Sequence, residues 1–282
     1  MSLKFHVLFL AFALCLCPRE NLKAQQLKIR ERKIDALGGK AFAASISDSK
    51  LSLNQRERLI YQQIKEGNVP RFLRNFKEVT NTENGHSISF YVLPDYLAIG
   101  NDTDYCYFPM TPILAQRVAN LMKCSLPTKK MVDLIYRNSE IKIVPQPIPP
   151  TEAMVTVPIF IAHNEMISAQ LKEYSLLHQR SGLTAGHKKD VIISNKIFTE
   201  KTPKVVIFGW HQPNGKPIQP LYNRHTHTWA DYSHGIRLIQ KKVLVDGRTF
   251  KINKILADST LSYLISDEGV ITKASYPIFK AY

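Results

Sequence analysis

An apolar, β-branched run, Val205-Val206-Ile207-Phe208, enters the segment from Val205 to Ile239, and a second run, Ile236 to Ile239, leaves it. Between them stand Pro213, Pro217 and Pro220. A helix interior or central strand excludes proline, so the pattern predicts two strands delivering a long, stiff loop. The segment carries four of the nine histidines, His211, His225, His227 and His234, with Asp231, Ser233, Arg237 and both tryptophans, Trp210 and Trp229. Such groups are costly to bury without a purpose, and loops held by a rigid scaffold are where chemistry concentrates.

Residues 1–24 read as a secretory signal: Lys4 in a short polar start, the apolar run Val7 to Cys17, then a polar stretch ending at Ala24. The apolar run is too short to span a bilayer. A secreted or periplasmic location follows, with the membrane met only through this segment. Cleavage leaves 258 residues, and the formal charge falls from +15 to +13 as Lys4, Arg19, Lys23 and Glu20 depart. A basic exported chain is drawn to anionic cell-wall or polysaccharide polymers. Its lysines and arginines are scattered and no nucleic-acid module accompanies them, so nucleic acid is not an expected partner. Two cysteines remain, Cys106 and Cys124, either bridged, which stabilises by roughly 3 kcal/mol, or buried as free thiols.

Along the chain, Asn54 to Glu66 has the spacing of one helix face, with Gly67 as its stop. His86 to Ile99 alternates and predicts a hairpin of two short strands broken at Pro94-Asp95. Asn101 to Asp104 reads as a turn, since it lacks the remaining ligands of a calcium loop. Thr111 and Thr128 each open a helix. The proline-rich run from Pro145 to Pro150 divides a mixed region, 25–150, from a region 151–282, although the two need not be separate domains. A further helix is expected from about Pro158. Gly182 to Asn195 is a loop feeding a strand at Val191, and Asp246-Gly247 is a hairpin turn. The fold class is α+β, with a helix-containing N-terminal part and a β-rich C-terminal half.

Asp231-Tyr232-Ser233-His234-Gly235-Ile236-Arg237 resembles the active-site signature of the L,D-transpeptidase (YkuD-type) family, which runs Ser-His-Gly-Cys, an apolar residue, then Arg. Ser233, His234, Gly235 and Arg237 match when one residue is deleted, and the deleted residue is the nucleophilic cysteine. The resemblance implies a β-rich scaffold and a cell-wall setting, and excludes a thiol mechanism at this position. More broadly, the blocks Thr184-Ala185-Gly186-His187-Lys188-Lys189-Asp190 and Ala230 to Leu238 resemble those of a family of secreted bacterial proteins, which implies export and no particular activity.

The leading expectation is an exported hydrolase acting on a cell-envelope peptide or glycan. His211 or His234 serves as acid-base, Asp231 orients the imidazole, and Arg237 steadies negative charge. Ser233 is the candidate nucleophile of a Ser-His-Asp reading, although no nucleophile-elbow pattern surrounds it. His187, Lys188, Trp210 and Tyr232 are candidate substrate-binding residues. One alternative is a non-catalytic binding module for cell-wall or polysaccharide polymers. Another is a zinc-dependent hydrolase, with His225 and His227 on one strand face joined by His187 and Asp190.

Overall fold

The computed structural model describes residues 26–177 and 182–279, and shows a mixed α+β fold. The expected signal segment lies outside the described residues. No helix among the described residues is long and apolar enough to cross a membrane.

The chain enters along the fold, where Leu27 N–H donates to the Arg74 carbonyl. Helix α1 (Gly39–Ser45) begins where Asp104 accepts from Lys40 N–H at 3.0 Å, so the Asn101–Asp104 turn works as a cap. Helix α2 (Leu53–Lys65) has a complete capping box between Ser52 and Gln55. Next comes a hairpin of β1 (Lys77–Glu83) and β2 (His86–Val92), turned at Asn84-Gly85, both with positive φ. The expected hairpin across Pro94-Asp95 is therefore displaced: β2 turns back onto β1, while β3 (Ala98–Gly100) pairs with β4 (Tyr105–Tyr107). Helix α3 (Pro112–Leu121) is capped by Thr111, and α4 (Lys129–Asn138) by Thr128, with β5 (Cys124–Ser125) between them.

Beyond β6 (Ile141–Lys142) the proline-rich run leads to α5 (Val157–Leu177). Ile148, within that run, exchanges hydrogen bonds with the Tyr232 hydroxyl, at 2.7 Å from its N–H and 3.0 Å to its carbonyl. The remaining strands are β7 (Thr184–Ala185), β8 (Lys189–Val191), β9 (Ile207–His211), β10 (Pro217–Tyr222), β11 (His234–Gly235), β12 (Ile239–Val245) and β13 (Arg248–Lys251), followed by α6 (Ile252–Leu256). The turn joining β12 to β13 is Asp246-Gly247, as its sequence requires.

Two sheets organise the core. One runs β1-β2-β12-β13 with β5 also on β12, and the other runs β10-β9-β8-β11. Strand pairs cross the proline-rich run three times, in β2–β12, β5–β12 and β6–β7. A single cluster of buried apolar side chains extends from Leu27 to Tyr276. Cys106 and Cys124 are buried free thiols, and burial pushes both up to about 12.

Candidate functional site

The sheet β10-β9-β8-β11 brings three sequence blocks side by side. Lys189 on β8 lies opposite His234 in the parallel pair with β11 and opposite Gly209 in the antiparallel pair with β9. The His187–Asp190, Gly209–His211 and Ser233–Arg237 blocks thus converge although nearly fifty residues of chain separate their extremes in sequence order, because β8 occupies the centre of the sheet. Two glycines permit this approach. Gly209 has φ +114 and is followed by Trp210 at φ +59, two positive-φ residues inside β9 just before its last residue, His211. A Cβ on Gly235 would lie 2.6 Å from both Lys188 Cβ and Tyr96 Cδ1, so only glycine lets these side chains pass.

Lys189 and Asp190 are consecutive on β8 and point to opposite faces. On the Asp190 side, its Oδ2 accepts from the Tyr96 hydroxyl at 2.7 Å, and the Arg237 guanidinium lies 4.0 Å from the Tyr96 ring centre. Arg237 has no solvent exposure and donates to the Leu93 carbonyl at 3.2 Å and the Thr184 carbonyl at 2.8 Å. It ties strand ends together and does not face an open pocket. Burial raises Asp190 to about 6 against the opposing pull of Arg237 and Tyr96. His187 is also fully buried, with Nε2 3.1 Å from Asp95 Oδ1, and Asp95 Oδ2 accepts from Tyr107 at 2.7 Å.

On the Lys189 side, Asp231 accepts from both the backbone N–H and the hydroxyl of Ser233, and from Trp229 Nε1 at 3.2 Å. His234 Nε2 lies 3.6 Å from Asp231 Oδ2. The carboxylate therefore stands between hydroxyl and imidazole, whereas a Ser-His-Asp relay needs the imidazole in the middle. Burial pushes His234 down to about 4, so its ring is neutral at pH 7. Asp231 is penalised by burial, but His234, Ser233 and Lys189 outweigh that and hold it well below the usual carboxylate range.

Lys188 forms a third nest: its Nζ is 3.0 Å from His163 Nδ1 and donates to the Tyr232 carbonyl at 2.6 Å. Burial brings this amine down to about 7. Trp210 and Tyr232, expected to meet substrate, are buried and pack edge to face with their centres 6.3 Å apart. The imidazoles of this region face carboxylates at long range or poor alignment, His187 Nε2 at 3.1 Å from Asp95 and His234 Nε2 at 3.6 Å from Asp231.

His211 behaves differently. It falls on the Asp190 side: a Cβ on Gly209 would lie 3.5 Å from Asp190 Oδ2 and 3.7 Å from His211 Cε1. His211 and His234 are therefore on opposite faces of the sheet and share no hollow. The His211 imidazole stacks on Tyr136, centres 4.5 Å apart and planes 15° apart, and its Nε2 is 2.9 Å from Asp133 Oδ1. The pair lines an open depression of about 660 Å³ with Lys130, Arg137 and Lys142 around it. The Asp133 side chain is 34 % exposed and that of His211 only 4 %, so the carboxylate fronts the depression and the imidazole backs it. Asp133 and Tyr136 were invisible as site residues in the sequence. They sit on α4, where nothing but the Lys129–Asp133 spacing of an ordinary helix-surface pair distinguishes them.

The proposed zinc ligands do not assemble. His225 and His227 lie in a turn-rich segment rather than on a regular strand, His225 stacked on Trp229 with centres 4.4 Å apart and His227 beside Phe279 and the Pro203 carbonyl. His187 and Asp190 are engaged with Asp95 and Tyr96. Among the described residues, no group of three or more His, Cys, Asp or Glu side chains is arranged to hold a metal ion, and this donor set does not fit zinc. Comparison of the chain with family models, curated proteins and solved structures finds no match.

Proposed function

We propose that this protein is an exported hydrolase of an anionic cell-envelope peptide or glycan, reacting at the Asp133–His211 pair. The observation that carries the reading is the placement of that pair: of the histidines expected to be catalytic, only His211 lines an open depression, where Lys130, Arg137 and Lys142 stand with Asp267. Asp133 is held from two sides, by His211 Nε2 at 2.9 Å and by Lys129 Nζ at 3.5 Å. A water in the depression gives a proton to this carboxylate as its oxygen bonds to the scissile carbon, the imidazole N–H steadies the carboxylate in place, and the protonated Asp133 returns that proton to the departing amine or alcohol as its bond to the carbon breaks. Arg137 and Lys142, both exposed, supply positive charge for an anionic substrate. The sheet behind, with Asp190, Tyr96 and Arg237 in its hydrogen-bonded interior, fixes the strand that carries His211.

Incubation with peptidoglycan or anionic polysaccharide should release soluble fragments, and Asp133→Asn and His211→Ala should each lower the rate by roughly a hundredfold or more. Wild-type rates in both variants would dispose of the reading. The second reading, a non-catalytic binding module for the same polymers, is favoured by one observation: His234, Arg237 and Lys188 have no solvent exposure. Retention on the insoluble polymer with no fragment released would select it.

A further inference from the structure

A second cavity, larger than the Asp133–His211 depression, lies apart from it and shares no lining residue with it. It encloses about 880 Å³, within the range of small-molecule sites. Six lysines line it, Lys28, Lys123, Lys241, Lys242, Lys251 and Lys273, and no aspartate or glutamate does. All six are exposed. The floor is apolar: Phe76, Met122, Cys124 and Tyr276 are buried there. Phe198 and Ile278 stand at the rim, 37 % and 46 % exposed, with Lys273 Nζ 5.1 Å from the Phe198 ring centre.

The strand geometry creates this concentration of charge. Between Ile239↔Val92 and Val243↔Phe90, β12 advances four residues while β2 advances two, so β12 carries two extra residues and its ladder is displaced at Gln240-Lys241-Lys242. Lys242 is then directly opposite Lys251 on β13. Like charges in that position are destabilising, and no carboxylate among the described residues forms an ion pair with either. Charge of one sign around an apolar floor is the complement of a single ligand class.

The geometry points to a binding site for a single-chain anionic amphiphile, with the alkyl chain on the Phe76–Met122–Tyr276 floor and the anionic head between Lys242, Lys251 and Lys273. A membrane surface is a poorer match, because the apolar groups form the floor of a cavity and the lysines its rim.

Dodecyl phosphate below its micelle concentration, titrated calorimetrically into the purified protein, should bind with a Kd at least about tenfold lower than that of dodecyltrimethylammonium, which has the same chain and the opposite charge. The Lys242→Gln/Lys251→Gln/Lys273→Gln variant should weaken dodecyl phosphate by about tenfold. Thr272→Trp, at an exposed lining position, should fill the cavity and block binding with an unchanged circular dichroism spectrum. Equal affinity for the two detergents, or an unchanged Kd in the triple-lysine variant, would overturn the inference. So would sedimentation with phosphatidylglycerol vesicles in the absence of any binding to monomeric dodecyl phosphate, which would assign the lysines to a bilayer surface.

Discussion

Two buried ionisable side chains, Glu57 and Lys188, give the protein opposite dependences on pH. Glu57 is buried beneath Thr111, accepting from its N–H at 2.7 Å and its hydroxyl at 2.9 Å, and burial raises it to about 7. Its folded value exceeds its unfolded one, so the folded chain holds more protons between about pH 4.5 and 7, and stability from this group falls as pH rises through that window. Glu57→Gln keeps an acceptor for Thr111 and does not titrate. The variant should therefore gain relative to the wild type as pH rises, by at most about 1.4 kcal/mol per unit, in urea unfolding at pH 4.5, 5.5 and 6.5. Lys188 has the reverse sign: its folded value is depressed to about 7, the unfolded chain binds the extra proton, and its contribution improves as pH climbs above 7. The difference between wild type and Lys188→Met should grow between pH 7 and 9, before the buried thiols begin to contribute. A difference independent of pH would mean that the amine is not desolvated as its contacts imply.

At the scale of elements, the end of β9 decides where His211 points. Gly209→Ala would place a side chain at φ +114, with its Cβ 3.3 Å from Val132 Cγ1, and should cost about 1–3 kcal/mol by chemical denaturation. It should also lower activity through a displaced His211. Gly235→Ala keeps an ordinary φ but meets Lys188 and Tyr96 at 2.6 Å, and should cost about 1–3 kcal/mol through crowding alone. Much at this scale was legible. The helix caps at Thr111 and Thr128, the Asp246-Gly247 turn and the helix after Pro158 all follow from local chemistry that the structure retains. The three polar blocks were legible as blocks, and they do meet. Their enclosure was not, because it depends on Asp95, Tyr96 and His163 arriving from distant chain segments without any local pattern. Strand β1 was missed because it buries only Val79 and otherwise presents polar residues. His225 and His227 alternate as a strand would, and their backbone does pair with Pro203 and Val205 about the single Lys204–Thr226 bridge, but their rings go to Trp229 and Phe279 instead of to a shared metal.

For the molecule as a whole, the hydrogen bonding joins what the prolines divide. Strand β12 holds both β2 and β5, and β7 holds β6, so residues 25–150 alone would expose the edges of β2, β5 and β6. That fragment should remain unfolded or aggregate, and a dispersed amide spectrum from it would show the N-terminal region to be self-sufficient. The composition gives a basic chain, but it could not foresee that six lysines would gather around one apolar hollow. That arrangement arises from an irregular strand pairing, not from a run in the sequence. The two sequestered thiols have a consequence for biogenesis. Among the described residues neither Cys106 nor Cys124 joins a covalent cross-link, so folding of this part needs no oxidant, and dithiothreitol should leave the melting temperature where it was.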